Sequence, residues 1–171
     1  MGNCMGFLAA GVVLLLLIPS ALAYNTEGAE ITINTDGSAI IVGSYQLNLG
    51  EYIAFKFTPG KENLLKDAIE QKLGRDVTVN YMNDKEVSVT IPSFAKVDKT
   101  ENKTSYKTPK LPYNEIGNYM DNFLKDNPVL KNFSPDASMV VPDKTVIIFP
   151  DGYSVTYEKP YLNGVVLPVT H

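Results

Sequence analysis

Residues suited to thiol, imidazole or indole chemistry are almost missing from this 171-residue chain: it has one cysteine, one histidine and no tryptophan. The cysteine, Cys4, falls within an apolar leader, so everything after Ala23 is thiol-free. A domain without disulfides must be held by its core alone, which excludes the small stapled scaffolds common among secreted proteins. The histidine, His171, is the last residue, where a chain end is expected to fray. Histidine-dependent triads and histidine-bearing zinc or copper centres therefore lack their raw material.

Charge is missing from one region altogether. Met1 to Ala23 has no charged side chain, contains the apolar run Phe7 to Ile18, and ends in Ala21-Leu22-Ala23. An apolar run of about 7–15 residues followed by small residues is the pattern of an export signal, with Ala21 and Ala23 fitting the narrow pocket of a signal peptidase. Residues 1–23 are thus expected to be a signal peptide, with cleavage favoured by Pro19, which disrupts a helix where the peptidase needs extended chain. Two features support an uncleaved N-terminal anchor as the alternative. Met1 to Gly6 has no Lys or Arg to fix orientation, and Met5 to Ala23 approaches the ~20 residues needed to span a bilayer. Lipid attachment at Gly2 or Cys4 fits less well: Gly6 stands where the myristoylation pattern needs Ser or Thr, and no lipobox precedes Cys4. Either way the body, residues 24–171, is expected to be a single exported domain, secreted or extracytoplasmic and associated with the cell envelope.

The net charge is −4, which favours solubility and argues against a nucleic-acid or anionic-membrane surface as the main partner. Ile31 and Ile33 alternate with Thr32 and Asn34, Asp36-Gly37 reads as a tight two-residue turn, and Ala39 to Leu49 runs back, which predicts a hairpin. Tyr52 to Phe57 reads as a further strand. Thr58-Pro59 then predicts a helix start, with Leu64, Leu65, Ala68, Ile69 and Leu73 at helical spacing and Gly74 at the end. Val77 to Tyr81 and Glu86 to Ile91 form a second hairpin at period two around Asn83-Asp84. The polar stretch Lys96 to Tyr113 reads as a long exposed hairpin or loop. A second helix begins near Asn114, with Ile116, Tyr119, Met120, Phe123 and Leu124 as its stripe, and stops at Asn127-Pro128; a short helical turn through Leu130 and Phe133 follows. Val146 to Phe149 and Tyr153 to Tyr157 flank the turn Pro150-Asp151-Gly152, and Val165 to Val169 reads as an edge strand, with Pro168 limiting further pairing. Successive hairpins with two one-striped helices predict an α+β fold: a mostly antiparallel sheet with both helices on one face and a solvent-exposed, Tyr-rich face opposite. Helix followed by hairpin occurs twice, at Pro59 to Pro92 and at Tyr113 to Glu158, which suggests a structural duplication.

Candidate chemistry is sparse. Ser93-Phe94-Ala95-Lys96 matches S-x-x-K, in which a lysine one helical turn on activates a serine nucleophile, but the companion S-D-N and K-T-G motifs are absent. Asp84, Glu86, Asp98 and Glu101 could supply a carboxylate pair of the glycosidase kind, although acids at turns are ordinarily solvated. Asp36-Gly37 and Asp151-Gly152 invite an aspartic-protease reading that hairpin turns already explain. Asn34 and Asp36 lack the further ligands of a calcium loop. Lys96, Lys99, Lys103, Lys107 and Lys110 outnumber Asp98 and Glu101, so the middle stretch is either a basic docking patch for an anionic polymer or lipid surface or a lysine-rich edge that blocks aggregation. Asn102 and Asn132 begin N-glycosylation triplets, the second followed by Pro135.

These observations lead to a non-catalytic exported domain that acts by surface binding, or as a structural component of the envelope. No cofactor or metal is expected. The partner would be a protein or an envelope polymer, not a nucleic acid, with the membrane engaged only through residues 1–23 if they are retained. The alternatives are a secreted hydrolase using Ser93 and Lys96 or a carboxylate pair, and an inhibitor or chaperone of a secreted enzyme acting by strand addition at Val165 to Val169.

Overall fold

The computed structural model describes residues 25–47, 49–126, 141–158 and 165–171. Residues 1–23, with Cys4, Ala21 and Ala23 of the expected signal segment, the helical turn expected at Leu130 and Phe133, and Asn132 lie outside these residues.

Ten strands and three helices are formed by the described residues, and the fold is α+β with mostly antiparallel sheets. β1 (Asn25–Ile33) and β2 (Ala39–Gln46) make the first hairpin, with Ile33 opposite Ala39. Its turn is longer than two residues: the Asn34 N–H donates to the Ser38 carbonyl at 2.8 Å and the Gly37 N–H to that of Asn34 at 2.9 Å. Gly37 sits at φ 83°, the left-handed conformation that glycine adopts without a Cβ penalty. Leu49–Phe57, part of which reads as a strand in sequence, is a helix, α1. A short apolar run has no period that separates strand from buried helix, and here the helix wins. Leu49, Tyr52 and Phe57 remain exposed on it, with the Lys56 ammonium 5.2 Å from the centre of the Tyr52 ring and Lys61 at 4.6 Å from that of Phe55.

Helix α2 (Lys61–Leu73) starts later than the Thr58-Pro59 pattern predicts. Gly60, at φ 66°, is its N-cap with no side-chain cap, while Thr58 is buried. At the other end Gly74, at φ 64°, donates its N–H to the Glu70 carbonyl, as the C-cap expectation requires. β3 (Thr78–Met82) and β4 (Glu86–Ile91) form the second hairpin, with an irregularity between Val79 and Tyr81. The polar stretch that follows is a hairpin, β5 (Lys96–Lys99) with β6 (Thr104–Lys107), and then β7 (Leu111–Pro112). Helix α3 spans Tyr113–Asp126; Ile116 is buried and Tyr119 packs against the core, while the side chains of Met120, Phe123 and Leu124 lie outside the described residues. β8 (Lys144–Ile148) and β9 (Ser154–Glu158) make the third hairpin, and β10 (Val165–Val166) pairs with β7.

The large sheet has the order β3-β4-β2-β1-β8-β9. The two helix-hairpin units thus put their hairpins on opposite edges, but β4 joins β2 antiparallel whereas β8 joins β1 parallel, so no two-fold duplication relates them. One sheet face is covered. Its central row runs Val79, Val89, Ile41, Ile31, Ile147, Val155, with Ile31 and Ile147 fully buried, and Leu65, Ala68 and Ile69 of α2 and Ile116 of α3 belong to the same core. Both helices lie on that face, as the two amphipathic stripes predict. The opposite face is not Tyr-rich. Its rows run Thr78, Thr90, Ile40, Thr32, Ile148, Ser154 and Tyr81, Ser88, Val42, Glu30, Val146, Thr156, because most tyrosines sit on the alternate, covered positions or outside the sheet. Asn80 ties Ser88 and Thr90 there through hydrogen bonds at 3.0 Å.

Pro168 does not end pairing. The tail resumes beyond it: Thr108 N–H donates to the Val169 carbonyl at 2.9 Å, and Tyr106 and His171 exchange both backbone hydrogen bonds at 2.7 and 3.0 Å. His171 is accordingly fixed rather than frayed. Its ring stacks on Tyr153 at 4.2 Å and lies 5.0 Å from Phe149, and its Nε2 is 2.7 Å from Asp151 Oδ2.

Candidate functional site: an apolar cavity under the helices

The row beside the central one explains an apolar concavity under the helices. Across the covered face it runs Met82, Val87, Gly43, Ala29, Thr145, Tyr157. Its middle therefore has glycine and alanine where the next row has Ile41 and Ile31. Helices resting on the large residues cannot also fill the space over the small ones, because packed interiors deform little. A cavity of about 170 Å³ results, floored by Gly43 and Ala29 and roofed by Leu65, Ile69 and Leu73 of α2 and Ile116 of α3. Val87, Val89 and Ile41 wall one side, and Leu111 and Pro142 also border it.

The polar atoms near this lining are engaged. Tyr45 donates its hydroxyl hydrogen to the Asn83 carbonyl, and the buried Thr145 hydroxyl donates to the Tyr113 phenol oxygen at 3.3 Å. A guest would meet methyl and methylene groups, which hold by contact and by release of water from apolar surface. The only sequence trace of this site is the pair of small residues, Ala29 and Gly43, at covered-face positions of two paired strands. Strand alternation gives their face, but without the register nothing shows that they stand opposite each other.

Ser93 and Lys96 are placed apart in partnership. Ser93 occupies a turn at φ 51°, a conformation that non-glycine residues seldom take. It lines an open polar cleft with Glu70, Arg75 and Asp76, in which Arg75 Nη1 donates to the Phe94 carbonyl at 3.0 Å and Glu70 Oε1 accepts from the Val77 N–H at 2.9 Å. The Lys96 ammonium instead meets Asp98 at 2.8 Å. The four candidate acids lie on two hairpins of different sheets, Asp84 and Glu86 at the β3–β4 turn and Asp98 and Glu101 on the β5–β6 hairpin. Lys96 and Lys107 are cross-strand neighbours on the β5–β6 hairpin, Lys99 and Lys103 stand near its turn and Lys110 follows it; all five are exposed, while Val97 is half-buried and Tyr106 buried. Asn102 is exposed beside the turn that Thr100 and Lys103 close with a 2.8 Å hydrogen bond.

Asn34 and Asp36 serve their own turn: Asp36 Oδ1 accepts from the Ser38 N–H at 2.9 Å and from its hydroxyl at 2.6 Å. Those bonds, the hydroxyl first, hold the Asp36 carboxyl below the usual range. Asp151 is lowered as well, by the His171 contact first and then by the Tyr153 N–H. Burial raises the Tyr157 phenol. No group of three or more metal-ligating side chains occurs among the described residues, and none of the described helices is long and apolar enough to cross a membrane. No family model, curated protein or solved structure matches the chain.

Proposed function

We propose that this chain is an exported, non-catalytic binding protein that works outside the cytoplasm in association with the cell envelope and takes an apolar ligand between its sheet and helices. The cavity floored by Gly43 and Ala29 is the observation that carries this reading, since aliphatic walls suit retention of a guest more than reaction with one. The uncharged segment Met1 to Ala23 supports the location. The test joins both halves. Native protein should be recovered from the extracytoplasmic fraction, and the purified protein, stripped of lipid, should bind an apolar fluorescent dye saturably. Recovery of intact chain from cytosol, or a dye response that does not saturate, overturns the reading.

A hydrolase is the second reading, favoured by Ser93, whose positive φ stores strain of the kind that clusters at functional sites, in a cleft with Arg75, Glu70 and Asp76. A fluorophosphonate probe that labels the natural chain but not Ser93→Ala would establish it in place of the binding reading.

A further inference from the structure

We infer that the cavity accepts one compact, wholly apolar group about the size of an alkyl-substituted aromatic ring, and that Gly43 and Ala29 set this size. The inference rests on the binding reading and specifies its ligand. Volume comes first: the cavity measures about 170 Å³, and dry apolar protein cavities of about 150 Å³ hold benzene. A fully enclosed long acyl chain does not fit; its terminal segment does.

The lining decides polarity. Water needs two to four polar partners to stay in a cavity, yet the walls are the side chains of Ile41, Val87, Ile69 and Ile116. The phenol proton of Tyr45 is committed to the Asn83 carbonyl, and Thr145 and Tyr113 are bonded to each other. A hydroxyl or carboxylate carried inside would exchange its full water shell for at most the phenols of Tyr45 and Tyr113, both already hydrogen-bonded elsewhere, so the site discriminates against a polar isostere of its ligand.

The floor decides size. A Cβ built on Gly43 would stand 3.4 Å from Val87 Cγ1, and Ala29 opposite it contributes a single methyl. A larger side chain at either position enters the cavity volume rather than solvent. Two sources offer the same chemistry, a free monocyclic aromatic or the end of a longer acyl chain, and competition separates them.

The experiment is calorimetric titration of the purified protein with ethylbenzene, phenol and palmitate, using the apolar dye as reporter of the binding reading. Ethylbenzene should bind at one equivalent, phenol at least tenfold more weakly, and Ala29→Leu should weaken ethylbenzene at least tenfold without lowering the melting temperature of the unliganded protein. Palmitate that displaces ethylbenzene assigns the group to an acyl terminus, and palmitate that does not assigns it to a free aromatic. Should Ala29→Leu not fold, intermolecular NOEs in the natural chain decide: contacts from ethylbenzene to the methyls of Ile41, Val87 and Ile69 support the site, and contacts elsewhere overturn it. Dye and palmitate binding with ethylbenzene and phenol silent, or phenol equal to ethylbenzene, overturns this inference and leaves the binding reading standing. Silence of the dye and of all three ligands overturns both.

Discussion

The turns of the first and last hairpins are the same object in different surroundings. Asn34–Ser38 and Phe149–Tyr153 each place Asp-Gly at the third and fourth positions, with the glycines at φ 83° and 86°. Each is closed by a pair of backbone hydrogen bonds, at 2.8 and 2.9 Å in both. In each the aspartate Oδ1 accepts from the N–H two residues on, Ser38 at 2.9 Å and Tyr153 at 3.1 Å. Because β1 and β8 run parallel, the two turns come at the same end of the sheet. Their neighbours differ. A Cβ on Gly37 would stand 2.5 Å from the Ala95 carbonyl oxygen, and the Gly37 carbonyl accepts the Ala95 N–H at 2.7 Å; a Cβ on Gly152 would meet nothing within 4 Å. Local sequence selects the turn, and long-range contact sets what a change in it costs.

The sharpest way to break this comparison is to give both glycines a methyl group. Gly152→Ala should cost about 1 kcal/mol, the strain of a left-handed alanine. Gly37→Ala adds the displacement of the Ala95 backbone to that strain and should cost about 3 kcal/mol or more. Urea denaturation of the two variants measures the difference, and equal losses would mean that the Gly37 contact is not maintained.

The partners of the second turn give a smaller effect. His171→Ala removes the ring stacked on Tyr153 and should cost about 1 kcal/mol. It should also speed amide exchange at Tyr106 and Thr108, which pair with the tail, and leave the Asn34–Ser38 turn unchanged. Exchange that is unaltered at Tyr106 would show that the backbone pairing alone holds the tail. Ser93 extends the comparison to a third residue with positive φ, this one without glycine. Ser93→Gly relieves left-handed strain but adds unfolded-state entropy, so stability should rise by less than about 1 kcal/mol. A marked loss of stability would mean that the serine hydroxyl contributes binding energy in its cleft.

The hairpins were legible in the sequence because turn chemistry and period-two patterning are both local. Gly37, Gly74 and Gly152 announce positive φ, and the alternation at Ile31 and Ile33 gives the covered face. Helix α1 was not legible, since Tyr52 to Phe57 has the residues of a strand and no period long enough to deny it. The sheet order escaped because β1 meets β8 across more than a hundred positions of sequence. The cavity escaped for the same reason: Ala29 and Gly43 are ordinary small residues until register puts one against the other under α2. His171 reads as a free end in sequence because what fixes it, Tyr106, Asp151 and Tyr153, is distant along the chain.

The smallest effect separates the two aspartates. Both carboxyls are held below their usual range, Asp36 chiefly by the Ser38 hydroxyl and Asp151 chiefly by His171. A depressed folded-state pKa means stability that is present above about pH 4 and is lost as pH falls through the folded value. Both groups are fully exposed, so the change in global stability should be slight and the titrations themselves are the better readout. In His171→Ala the Asp151 carboxyl should return toward its ordinary range while Asp36 stays where it was, as followed by the side-chain carboxyl carbon shifts. Ser38→Ala should do the reverse. An Asp151 titration that ignores the loss of His171 would mean that the 2.7 Å contact is not kept in solution, and the two turns would then differ only in the crowding at Gly37.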